Sequence, residues 1–231
     1  AGIVHRTWRR LDHPRTALTM TGSALDDALA LHGLQVAGAF QISANDALPR
    51  KDGSLILISP AEPAFWPIFT ASTEYHDGQS DPMDRWSRRI GDALAQDFGA
   101  LALYPFGGAP FLPFYTWALR SGRAWASPIG FLVHDTGGLF ISYRMALLVP
   151  WVASPSTSPR PCDSCTDQPC ANACPVGAFA GGYDVIACKD HLRSPARQDC
   201  MTQGCAARST CPVGQGTRLP THAAFHMRSF L

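Results

Sequence analysis

The sequence predicts an α/β (α+β) protein, a mixed sheet with helices followed by a small cysteine-bearing module. Three observations carry that prediction. The chain has 231 residues, enough for one domain of ordinary size plus an appendage, with a core that needs no disulfide staples. Apolar runs of strand length alternate with helix-period stretches through the first 150 residues. All eight cysteines fall between Cys162 and Cys211, and none precedes them.

Residues 1–20 show little periodicity and are expected to wrap the surface. Ser23 followed by Asp26 marks a helix start, with Leu25, Ala28, Leu29 and His32 on one face and Gly33 as its stop. Leu34 to Ser43 reads as a strand. Ser54 to Ser59 is a short apolar run suited to an interior strand. Asp81-Pro82 caps a second helix, whose Trp86, Ile90 and Leu94 recur at four-residue spacing until Gly99. Ala100 to Tyr104 follows as a strand and Pro113 to Arg120 as a short helix. Ile129–Val133 and Leu139–Val149 are apolar runs joined by Asp135-Thr136-Gly137-Gly138, which predicts a β-hairpin. Ala153 to Pro161 changes composition abruptly and reads as a linker. The expected organisation is therefore residues 1–152, a linker at 153–161, and a module at 162–231.

Composition narrows the function classes. Charged residues make up 16% against a usual value of roughly 25%, and hydrophobic residues 46%, which excludes general disorder. Lys and Arg total 19 and Asp and Glu 18, so no global charge points to nucleic acid or a membrane surface. The cysteine-free main domain and the lack of a basic-then-apolar leader favour a reducing, cytoplasmic location. Phe98 to Leu119 carries no charge and is long enough to cross a bilayer. Pro105, Gly107, Gly108, Pro110 and Pro113 interrupt it, so it reads as a buried strand, a turn and a short helix rather than a membrane span. No phosphate-binding loop, Ser-His-Asp order or dinucleotide fingerprint occurs.

The cysteines form two sets. The first is Cys162-x2-Cys165-x4-Cys170-x3-Cys174-Pro175, and the second Cys188-x11-Cys200-x4-Cys205-x5-Cys211-Pro212. Both end in Cys-Pro-Val-Gly, at 174–177 and 211–214. A 4Fe–4S cube presents four irons at tetrahedral corners, each taking one thiolate. In two-cluster ferredoxins the cysteine before proline ligates the other cluster. Applied here, that rule gives Cys162, Cys165, Cys170 and Cys211 to one cluster and Cys174, Cys188, Cys200 and Cys205 to the second. This is the expected ferredoxin-like, two-cluster iron–sulfur module. Two zinc sites, disulfides, or one cluster with four spare cysteines remain open as alternatives, although only one C-x2-C pair is present.

Two such sets after an α/β domain resemble the cobalamin-dependent iron–sulfur reductases, of the epoxyqueuosine reductase and reductive dehalogenase type. Cys188-Lys189-Asp190-His191-Leu192 occupies the place of their lone cysteine, and Gly204-Cys205 leads to Cys211-Pro212. The family has a further cysteine between those two; this chain instead offers Cys200 upstream. More loosely, Trp125 to Pro150 resembles the corrinoid-binding core of these reductases and of CblC-type cobalamin-processing proteins, through His134, Gly137-Gly138, Phe140, Arg144 and Leu147-x-Val149-Pro150. The resemblance implies a nitroreductase-like fold for residues 1–152, a bound cobalamin, and His134, Gly137, Gly138 and Arg144 among its binding residues. The family's D-x-x-P motif is matched only by Gly107-Gly108-Ala109-Pro110, which lacks the carboxylate and argues against epoxide reduction of tRNA.

Other residues have plainer readings beside these. His134 is a strand-end histidine that a backbone group can satisfy, and Arg144 must face solvent, a carboxylate or an anionic ligand. Phe111, Phe114, Tyr115 and Trp117 are expected in the core. His222 and His226, one helical turn apart and without a third ligand, are expected to be a surface or packing pair. The function implied is an iron–sulfur oxidoreductase that takes electrons from a donor protein and passes them singly through two clusters to a corrinoid. A ferredoxin-like carrier without corrinoid, and a cobalamin chaperone with structural clusters, are the alternatives.

Overall fold

In the computed structural model, residues 22–154 and 156–231 are described; the expected surface wrap of residues 1–20 lies outside them. Leu25 and Leu29, one turn apart on α1 (Gly22–Ala30), are buried against the strands that follow. Gly33, at φ 63°, reverses the chain into β1 (Leu34–Gln41), and a Cβ there would lie 2.6 Å from the Phe65 Cα.

β2 (Ser54–Pro60) is buried at every position. Its alternate residues serve two cores: Ile56 and Ile58 point to one face, Leu55 and Leu57 to the other. A strand covered on both faces must be apolar throughout, which explains the unbroken Leu-Ile-Leu-Ile run. The first face is covered by α1, by α2 (Phe65–Thr70), α3 (Thr73–His76) and α4 (Pro82–Asp97), through Phe65, Phe69, Trp86, Ile90 and Leu94. Asp81 precedes α4 in a left-handed conformation (φ 52°) and makes no side-chain cap; Pro82 alone starts the helix.

After β3 (Leu101–Leu103), α5 (Phe114–Arg120) covers the second face with Phe114, Trp117 and Ala118. Phe111 and Tyr115, expected in the core, are 71% and 43% exposed. Tyr115 lies on the outer side of α5, whose one inward face carries Phe114, Trp117 and Ala118, and Phe111 lies in the irregular stretch before that helix.

The main sheet has the order β1-β2-β6-β3, where β6 is Met145–Val149, and every pairing is antiparallel. The expected mixed sheet is thus not found among the described strands. β2 and β3, which flank the helical crossover, do run in the same direction, but β6 fills the slot between them in the opposite one. Of the expected hairpin only the turn forms: His134 and Gly138 exchange backbone hydrogen bonds (3.0 and 3.1 Å) in a single antiparallel bridge, and the ladder goes no further among the described residues. β5 (Leu132–His134) pairs with β4 (Ala124–Ala126) in a separate two-stranded sheet, and β6 joins the main one. The reason lies beyond the turn: the carbonyls of Leu139 and Ile141 accept from Arg208, and that of Phe140 from Arg218. Those carbonyls are occupied by the module and cannot extend a ladder with β5.

The described residues of the 153–161 stretch do not form a free tether. Ala153 N–H donates to Ser54 Oγ (2.9 Å), and the Ser158 hydroxyl donates to Asp135 (2.6 Å). The module follows as turns with α6 (Val185–Arg193), α7 (Gln198–Gln203), α8 (Ala206–Ser209) and α9 (Pro220–Phe230). No helix among the described residues is long and apolar enough to cross a membrane.

Candidate functional site: two cysteine sets

Cys162, Cys165, Cys170 and Cys211 line one cavity, whose other walls include Pro128, Val133, Leu139, Pro169 and Val213. Tight turns supply the first three; Cys165 N–H, for example, donates to the Cys162 carbonyl at 3.3 Å. Cys211 returns from the far end of the module. Burial pushes the Cys162 and Cys170 thiols up, and each is held up further by neighbouring cysteines, with Arg160 opposing at Cys162.

The wall facing Cys211 is built from the 134–138 turn. His134 is buried; its Nε2 meets the Ala37 carbonyl at 2.9 Å, while Nδ1 accepts the N–H groups of Thr136 and Gly137, both at 3.2 Å. This network assigns the proton to Nε2, and burial holds the ring's pKa below its ordinary value. Asp135 Oδ1 lies 2.9 Å from Nδ1, but its carboxylate is engaged by Arg123 and Ser158.

The turn so fixed presents Gly138 at φ 53°. A Cβ on Gly138 would strike the Val213 carbonyl and come within 3.2 Å of Cys211 Sγ. From the other side, Gly214 meets the Thr136 carbonyl with a Cβ distance of 3.0 Å. His134, Gly137 and Gly138 are thus brought to the first cysteine set. Arg144 is not; it is buried on the α4 side, paired with Asp84, donating to Ser87 Oγ at 3.0 Å and lying over the Phe106 ring.

Cys174, Cys188, Cys200 and Cys205 group separately. Cys200 is within electrostatic reach of Cys174 and Cys188, and Cys205 of Cys200. Ala178 N–H donates to Cys174 Sγ at 3.4 Å, and the N–H groups of Ala206, Ala207 and Arg208 lie near the Cys200 and Cys205 sulfurs. The Tyr183 hydroxyl lies beside Cys188, and burial pushes that phenol well above its usual range. Tyr183 also stacks on Phe179 (5.0 Å, 15°) and meets the edge of Phe131, tying this set to the loop between β4 and β5. Among the described residues, no three His, Cys, Asp or Glu side chains converge closely enough to hold a single metal ion.

Sequence reasoning missed Tyr183 and Arg208. Phe179 and Tyr183, four residues apart around Gly181-Gly182, were the available signal for the first; Arg208 carries none, because its role depends on carbonyls about 70 residues away. His222 and His226 form a packing pair: His222 stacks on Trp66 (4.8 Å, 12°) and its Nδ1 lies 2.6 Å from Glu62 Oε1, not aligned for a hydrogen bond. Burial lowers both imidazoles, and it lowers the neighbouring Arg218 to about 9.

No family model and no curated protein matches the chain. Among solved structures it is similar to a B12-trafficking protein of C. elegans, CblC, described as a human MMACHC homologue. The two share 14% identity and a TM-score of 0.48, over 90% of this chain and 94% of that one.

Proposed function

We propose that the chain is a cytoplasmic iron–sulfur oxidoreductase that takes electrons from a donor protein. One 4Fe–4S cluster would be held by Cys162, Cys165, Cys170 and Cys211 and the other by Cys174, Cys188, Cys200 and Cys205, with a corrinoid as the acceptor on a nitroreductase-like region spanning residues 1–152. The observation that carries the reading is the return of Cys211 to the cavity of Cys162, Cys165 and Cys170, about forty residues away in sequence. A four-iron cluster, when bound, supplies low-potential single-electron transfer.

The residues' part is to hold and enclose. Three thiols on tight turns and one on a returning loop approach from different directions, as the corners of a cube require. Val133, Leu139 and Val213 wall the cavity in which Cys170 and Cys211 are buried and Cys162 and Cys165 half-buried, and the Gly137-Gly138 turn lets backbone come against Cys211 where any side chain would intrude.

A second reading, a cobalamin chaperone whose clusters are structural, is favoured by one observation. Cys170 and Cys211 belong to the same apolar cluster as Ile129, Val133 and Leu139, so this set also fastens the module to the sheet region. Titrating anaerobically purified protein with cob(II)alamin tests the acceptor. The absorption and spin-resonance spectra should shift, and dithionite reduction of the protein should then drain the cob(II)alamin signal. Binding without draining selects the chaperone reading. No spectral change at cobalamin well above the protein concentration overturns both and leaves a ferredoxin-like carrier.

A further inference from the structure

Apart from the cysteines and the exposed Gln168, Ser127 is the one described residue with a polar side chain that lines the cavity of Cys162, Cys165, Cys170 and Cys211. It is 7% exposed, and its hydroxyl oxygen is sealed from solvent with no hydrogen-bond partner among the described residues. A buried hydroxyl left without a partner is costly, and native structures keep few of them. The backbone holds Ser127 in this place from two sides. Its N–H donates to the Phe131 carbonyl (2.9 Å) and its carbonyl accepts from Gly130 (3.0 Å), which closes the turn between β4 and β5. Serine first, Pro128 second and Gly130 fourth is the residue order that such a turn favours. From the module, the Arg160 guanidinium donates to the neighbouring Ala126 carbonyl at 2.8 Å, and Pro161-Cys162 follow Arg160 directly.

The walls around Ser127 offer its hydroxyl nothing to bond. Pro128, Val133, Leu139, Pro161 and Val213 are apolar, and none of the four sulfurs bonds it directly. A bridging water needs several polar partners, which these walls do not supply. An anionic group seated among the four sulfurs does present an acceptor. A cluster with four thiolates is anionic, and hydrogen bonds to its sulfurs stabilise the more negative, reduced state. Resting on the reading of this set as a cluster site, we propose that the Ser127 hydroxyl donates to a sulfur of the bound cluster and raises its reduction potential. Ser127 acts through that sulfur and is a positioning residue.

A dithionite redox titration of the anaerobically purified full chain, followed by spin resonance, tests this. The signal to follow is the one that Cys211→Ser alters. Ser127→Ala removes the hydroxyl and leaves the turn, whose hydrogen bonds come from the backbone. It should weaken the electron affinity of that cluster about tenfold, a fall of about 59 mV for a one-electron couple, with iron content and the other signal unchanged. Ser127→Thr keeps a hydroxyl and should restore most of the shift. An unmoved potential in Ser127→Ala overturns the proposal, as does an equal shift of both signals, or a Ser127→Thr protein that behaves like Ser127→Ala. Iron-free wild-type protein instead overturns the cluster reading on which the proposal rests.

Discussion

The two Cys-Pro-Val-Gly endings put the same four residues into opposite surroundings. Both loops close on a left-handed glycine, Gly177 at φ 62° and Gly214 at φ 73°. Cys174 then turns into the module, where Ala178 N–H meets its sulfur. Cys211 turns outward to a cavity whose walls come partly from the sheet region. A repeated motif thus fixes a local backbone shape, while the partners on either side decide what that shape can hold. One set is finished by the module's own donors, and the other by a turn whose conformation depends on His134.

The largest effect that could break this comparison is exchange of the two returning cysteines. Cys211→Ser should damage the site of Cys162, Cys165 and Cys170, and Cys174→Ser the other. Each should lose about half the iron, as one of two four-iron clusters requires. Spin-resonance signals showing that each substitution affects only its own sequence set would refute the crossed grouping.

Arg144 offers a control outside both sets. Arg144→Met leaves Asp84 without its partner beside Ser87. Because the Asp84 side chain is 35% exposed, the cost should fall at the lower end for a broken buried pair, about 3 kcal/mol. Urea unfolding should show that loss with iron content unchanged, and adding Asp84→Asn should recover part of it. Loss of iron instead would tie Arg144 to the cysteine sites.

The smaller change Gly138→Ala sharpens the contrast. A left-handed backbone with a Cβ costs roughly 1–2 kcal/mol, and the approach of the Val213 carbonyl adds to it. The thermal midpoint should fall by about 4–8 °C for a total near 2 kcal/mol, and iron should be lost from the Cys211 site first. Equal loss from both sites would mean that the turn supports the module as a whole.

How much of this was legible in the sequence depends on the distance over which each residue's partner lies. Leu25 and Leu29, the unbroken Leu55–Ile58 run and the Trp86–Ile90–Leu94 stripe declare themselves within a few residues, the helices by their period and the interior strand by being apolar at every position. The cysteine sets declare themselves by spacing. The hairpin expected at 129–149 closes at its turn but stops at the His134–Gly138 bridge, and Arg208 and Arg218, far along the chain, bond the carbonyls that follow. Arg144 was recognisable as an anomaly in an apolar strand, but nothing local indicated that Asp84 would answer it. His134 shows both sides: its strand-end place was readable, its task of shaping a glycine turn against Cys211 was not.

The mildest test uses pH. His222 and His226, on the helix that follows the second set, face Glu62, Arg218, Arg144 and Arg208. Their folded-state pKa values lie below the ordinary 6.5, so in acid the unfolded chain binds more protons than the folded one. Their contribution is fully present above about 6.5 and declines as pH falls below it, by up to about 1.4 kcal/mol per unit for each histidine. Urea midpoints between pH 7.5 and 5.5 should follow that slope, and His226→Phe should flatten it. A midpoint independent of pH would show that these rings titrate in the folded chain as they do in the unfolded one.

The central claim is that eight cysteines make two complete cluster sites, and metal analysis tests it most directly. Protein purified without oxygen should be brown and carry about eight irons and eight acid-labile sulfides per chain. Stoichiometric zinc without visible absorption, or a protein free of metal, would contradict it.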